Sequence, residues 1–179
     1  MTRVPGAALS ADSVLREDPH LPDRWWEDLA RALEHLSAHP PPVAGTVNTE
    51  RYLINNVRGF FDVDLDGRLP DLVWTTAHAD LHWGNLTGPE LAILDWGDLA
   101  AAPAEYDLAT LYCNSLLVPA VAVRVLRMGA DVLTEPGGRV SLLLAACRYL
   151  TLAQEDGPYR GLGEALTALG RTQLAHLSM

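Results

Sequence analysis

Apolar positions along the chain recur with the period of helices far more often than with that of strands. In "PDRWWEDLARALEHLSAH" (22–39), Trp26, Leu29, Leu33 and Leu36 fall at three- and four-residue steps, the spacing that lines one face of an α-helix. "HPPPVAG" then ends the pattern, because proline fixes φ and removes a backbone donor. "NTERYLINNVRGFFDV" (48–63) repeats it with Leu53, Val57, Phe60 and Phe61, and Asn48 or Thr49 serves as its cap. "DLDGRLP" (64–70) reads as a turn. "LVWTTAH" (72–78) and "LAILD" (91–95) are short β-branched or apolar runs that stop at polar, titratable residues, and they read as strands. From Pro103 onward the pattern is helical again, over 104–117, 119–128, 139–154 and 159–177, with breaks at "MGAD", "EPGG" and "EDGP". The expected fold is mainly α with a few short β-strands near 73–95. Its polar loops sit at strand ends between helical layers, where active-site residues tend to be held.

A chain of 179 residues is long enough for one domain with a real core. Residues 1–20 read as an N-terminal extension and 21–179 as a single domain. With 49% apolar and 20% charged residues, the chain is globular in composition. Its formal net charge of −10 repels a nucleic-acid backbone, so no nucleic-acid partner is expected. Cys113 and Cys147 lie in apolar stretches and read as buried free thiols. Trp25, Trp26 and Trp74 read as core; His20, His35, His39 and His176 read as surface residues. No apolar run is long enough to span a membrane, and the first residues lack the apolar centre of a signal peptide. A cytoplasmic location follows as the expectation. All 13 basic residues are arginines, and there is no lysine.

Chemistry concentrates in "HADLHWGNL" (78–86) and "ILDWGD" (93–98). Asp80, in a loop, has the chemistry to take a proton from a hydroxyl. Asn85, five residues on, and Asp95, at the end of an apolar run, offer the oxygens that magnesium prefers. Together they have the logic of phosphoryl transfer, in which an aspartate base and an asparagine metal ligand lie five residues apart and a second aspartate holds metal. His82 sits beside Asp80, and imidazole as a group titrates near neutrality. Trp83 and Asp98 are candidate substrate contacts, with core packing as the other reading of Trp83.

"HADLHWGNL", "LAILDWGD" and "PAEYDLATL" together resemble the aminoglycoside phosphotransferase / choline kinase family, over about residues 20–179. Its pattern is close to H-G-D-L-H-x-G-N, then I-D-W, then D-x-A at the start of the next helix. Ala79 stands where glycine is usual, and Trp83 where proline is common. The resemblance implies a protein-kinase-like fold, with Asp80 as catalytic base and Asn85 and Asp95 as magnesium ligands. It also makes Asp107 a structural acid bracing the loop and His78 a support for the loop backbone. In that family a whole lobe precedes the motif and supplies a glycine-rich loop and a phosphate-holding lysine. The 77 residues before His78 read instead as two helices, with no G-x-G-x-x-G. An aminoglycoside phosphotransferase-like C-lobe standing alone is the expectation.

Three functions compete on these residues. One is a repurposed enzyme doing acid–base chemistry on a small molecule without ATP or another cofactor: dehydration, conjugate addition or cyclisation. There Asp80, His82 and His78 form the catalytic trio, with His78 holding the loop. The second is an ATP- and magnesium-dependent phosphotransferase whose N-lobe comes from elsewhere. The third is a non-catalytic binding protein. A second copy or a partner chain is the expected cover for the exposed lobe face. The first reading is preferred, because the loop motif is complete while the nucleotide clamp is not.

Overall fold

The computed structural model describes residues 6–42 and 50–177. Asn48 and Thr49, the expected cap of the second helix, lie outside the described residues. The fold is mostly helical with a few short strands. Helix α1 (Asp23–Ser37) buries Trp25, Trp26, Leu29 and Leu33, and it ends where Pro40 to Pro42 make further helix impossible. Helix α2 (Glu50–Phe61) buries Leu53 and Val57. After the loop region come α3 (Tyr106–Cys113), α4 (Pro119–Met128), a single turn α5 (Ala130–Leu133), α6 (Pro136–Ala153) and α7 (Gly163–Leu177). Pro119 and Pro136 open α4 and α6, where a missing N–H costs nothing.

Helix α6 is the centre of the core. Residues around its whole circumference are buried, from Val140 and Leu142 to Cys147, Tyr149 and Leu150. Such a helix has no wet face because neighbours cover every side. It packs chiefly against α7 and α3, and also against α5 and α2. At Gly170 on α7, a Cβ would come within 2.2 Å of the Phe61 ring from α2, so only glycine allows that approach. Cys113 and Cys147 are both buried and free.

Strand β1 (Ala7–Ala8) pairs antiparallel with β3 (Thr87–Gly88). Strand β2 (Trp74–Ala77) pairs antiparallel with β4 (Ala100–Pro103), with Trp74 opposite Pro103 and Ala77 opposite Ala100. The second expected strand, "LAILD", is not one. Ile93 makes a single bridge to Leu86, and Asp95 turns into the left-handed region at φ 55°, which ends any extended run. Trp74, expected in the core, is 37% exposed, because it starts the outer end of a two-stranded ribbon. Residues Val14 and Leu15, in the N-terminal segment, are fully enclosed by the core. That segment also bonds the functional loop, with Trp83 N–H donating to the Ser13 carbonyl at 3.3 Å.

Candidate active site

Strand β2 delivers the chain into the loop 78–86, and the first turn of α3 closes it from behind. Asp107, buried in that turn, accepts the backbone N–H of His78 at 2.7 Å and of Ala79 at 2.9 Å. Burial pushes its carboxyl above the ordinary range, against the downward pull of those two bonds. His78 is buried, and both ring nitrogens are used. Nε2 lies 2.7 Å from the Leu94 carbonyl, and Nδ1 lies 3.3 Å from the Asp80 N–H. With Nε2–H donating and Nδ1 accepting, the ring satisfies both partners as a neutral imidazole. Enclosed in this way, His78 is placed as a support of the loop, while Asp80 and His82 keep part of their surface open.

Asp80 is partly open, with its side chain 26% exposed. Oδ1 accepts from Arg148 Nη2 at 3.0 Å, and Oδ2 lies 3.5 Å from His82 Nε2. Hydrogen bonding with His82, and then the Arg148 charge, hold the carboxyl below its ordinary range, while burial opposes them. The Asn85 amide N–H donates to the Asp80 carbonyl at 3.1 Å, and the same Nδ2 lies 3.2 Å from His82 Nε2. His82 Nε2 thus faces two groups that ask opposite things of it. Neutral, it accepts from Asn85; protonated, it donates to Asp80. His82 Nδ1 is buried without a hydrogen-bond partner among the described residues. Gly84 leaves room for this ring, since a Cβ there would sit 3.2 Å from His82 Cε1 and 3.0 Å from the Asp12 carbonyl.

The remaining candidates are placed differently. Trp83, a candidate substrate contact, is completely buried. It stacks on Trp25 at 6.3 Å, and its indole N–H donates to Ser115 Oγ at 2.9 Å, which places it in the core. Asp98, the other candidate contact, is exposed in the helical turn Trp96–Asp98. Leu94 N–H donates to the Asn85 carbonyl at 2.8 Å, which sets Asp95 at the same end of the loop as Asn85. Asp95 is exposed. Among the described residues, no cluster of three His, Cys, Asp or Glu side chains is placed to hold a metal ion. Asn85 and Asp95 offer two oxygen donors, and a magnesium ion held by so few protein oxygens draws the rest of its shell from water and substrate phosphate.

Two residues of the site escaped the sequence reading. Arg148 on α6 reaches the loop with Nη1 on the Ala79 carbonyl at 2.8 Å, besides its hold on Asp80. Tyr106 lies behind it, with its hydroxyl 3.4 Å from the guanidinium and pushed by burial up to about 12. One signal was present: an arginine amid the apolar run of α6 needs an acidic partner, because an arginine is rarely buried unpaired.

No protein-family model matches the sequence, and neither does any curated protein. Among solved structures, the chain is similar to a choline/ethanolamine kinase family protein from Mesorhizobium loti. The identity is 14% and the TM-score 0.36, covering 93% of this chain and 58% of that one. The chain therefore spans less than two thirds of that protein's length. Among the described residues, no helix is long and apolar enough to cross a membrane.

Proposed function

We propose that the chain is a kinase-like C-lobe domain carrying out acid–base chemistry on a small molecule without ATP, as a dehydration, conjugate addition or cyclisation. The contact between His82 and Asp80 supports this reading. Asp80 is held ionised, with one oxygen occupied by Arg148 and the other 3.5 Å from His82 Nε2. In a dehydration, the Asp80 carboxylate takes the substrate's C–H proton at Oδ2, and protonated His82 gives its Nε2 proton to the departing oxygen. The C–O bond breaks with its electron pair, the oxygen leaves as water, and the proton on Asp80 passes back to His82, restoring both groups. No redox equivalent is consumed.

A nucleotide clamp would have to come from outside these 179 residues, which contain no lysine and no glycine-rich phosphate loop. One observation favours the phosphotransferase reading nonetheless. Asn85 spends its amide N–H groups within the loop, which leaves its oxygen for a cation beside Asp95. The two readings part in one pair of measurements. Deuterium uptake from D2O into a panel of β-hydroxy carbonyl compounds, followed by NMR, is expected with wild-type protein. It is expected to fall by about 10²–10⁴-fold in Asp80→Asn and His82→Gln. Calorimetry with ATP and magnesium is expected to give no micromolar binding. Micromolar nucleotide binding without any exchange activity would overturn the proposal in favour of phosphoryl transfer.

A further inference from the structure

Ala79 occupies the left-handed region at φ 68°. An L-residue with a Cβ is disfavoured there, because the Cβ crowds the following carbonyl oxygen, and such strain persists only where surrounding structure over-determines it. Both polar groups of this residue are held by side chains from distant helices. Its N–H donates to Asp107 Oδ1 on α3 at 2.9 Å, and its carbonyl accepts from Arg148 Nη1 on α6 at 2.8 Å. The same guanidinium grips the next residue through Asp80 Oδ1 at 3.0 Å. A planar fork with fixed donors can do both at once, and a lysine ammonium cannot do so with the same geometry. Release of the Ala79 carbonyl would leave the peptide linking residues 79 and 80 free to rotate. The Asp80 N–H, now 3.3 Å from His78 Nδ1, would turn with it, and the carboxylate would leave His82.

We propose that Arg148 is a positioning residue, whose guanidinium clamps Ala79 in its left-handed conformation and thereby aims the free oxygen of Asp80 at His82. Its value to catalysis rests on the proton-transfer reading of Asp80 and His82, but the clamp itself is readable without turnover. NMR on protein with labelled alanine and aspartate follows two signals: the Ala79 Cα and Cβ shifts, which report backbone conformation, and the Asp80 carboxyl titration. In Arg148→Met, the Ala79 shifts are expected to lose their left-handed signature and the Asp80 titration to move upward. Adding Ala79→Gly to that variant lets the backbone return without strain. The Asp80 amide shift is then expected to recover toward wild type, while the Asp80 titration stays raised. Should Arg148→Met fail to fold, Arg148→Gln provides the same test, since its amide stops two bonds short of the Ala79 carbonyl and carries no charge. It is expected to lose the Ala79 signature and to raise the Asp80 titration in the same way. Unchanged Ala79 shifts in a folded Arg148→Met or Arg148→Gln would overturn the clamp. Absence of exchange activity in a wild-type protein with an intact clamp would overturn the catalytic reading alone.

Discussion

The chain writes nearly the same word twice, "HWGN" at 82–85 and "DWGD" at 95–98, and folds both into short helical turns, Trp83–Asn85 and Trp96–Asp98. From there the two diverge. Trp83 is completely buried against Trp25 and Trp26, and its indole bonds Ser115 in the turn that follows α3. Trp96 is 45% exposed, and its indole N–H donates to the Ile93 carbonyl three residues back. Local sequence makes the turn in both cases. Long-range anchors then decide which turn becomes rigid scaffold and which stays a surface feature. The candidate catalytic pair lies on the anchored side; Asp95 and Asp98 lie on the other.

Tryptophan deletion should expose this difference most. Trp83→Ala removes a buried ring and leaves a cavity, with an expected loss of about 4 kcal/mol. Trp96→Ala gives up a half-open ring and is expected to cost less than about 1 kcal/mol. Urea unfolding of the two variants measures both, and equal losses would break the comparison. The acids should separate by a smaller margin. Asp107→Ala leaves the N–H groups of His78 and Ala79 without their acceptor, at about 3 kcal/mol. Asp98→Ala, at an exposed site, should stay within about 0.5 kcal/mol of wild type. A neutral Asp107→Ala would mean that the loop is held by its apolar surroundings alone.

What could be read in advance follows the same division between local and distant. The helices were legible because their apolar residues recur every three or four positions: α4 lies at Pro119–Met128 as its pattern predicts. Asp80, His82 and Asn85 were legible as one site because they fall within six consecutive residues. The strand β4 was not legible. Its sequence is "AAAP", with little intrinsic preference for a strand, and it forms through pairing with Trp74–Ala77. "LAILD" misled in the opposite sense, since its apolar run suits a strand but finds only one bridge. Trp83 could be read as core or contact until Trp25 and Ser115 were seen around it. Arg148 lies 68 residues from Asp80 along the chain; its place in an apolar run signals that it needs an acid, but no local pattern says which one.

The smallest expected effect concerns acid and sharpens the picture of the anchored loop. Asp80 is held below its ordinary value of 3.8, first by hydrogen bonding with His82 and then by the Arg148 charge. A carboxyl depressed in this way loses its proton more readily in the folded state than in the unfolded chain. The stabilisation is complete above pH 3.8 and is lost as pH falls through the lower folded value. Asp107 runs the other way: burial holds its carboxyl above the ordinary value, so its protonation favours the folded state on acidification. Burial, the main cause of the Asp107 rise, is common to wild type and Asp80→Asn; the smaller part that the Asp80 charge adds is lost in the variant and works against the difference between them. Between about pH 6 and about pH 2, wild type is therefore expected to lose roughly 1 kcal/mol more than Asp80→Asn, the scale of a partly exposed ion pair. Urea unfolding at a series of pH values measures that difference. Parallel acid profiles would show that the Arg148–Asp80 pair aims the carboxylate without adding stability, leaving Asp107 and the buried ring of Trp83 to hold the loop.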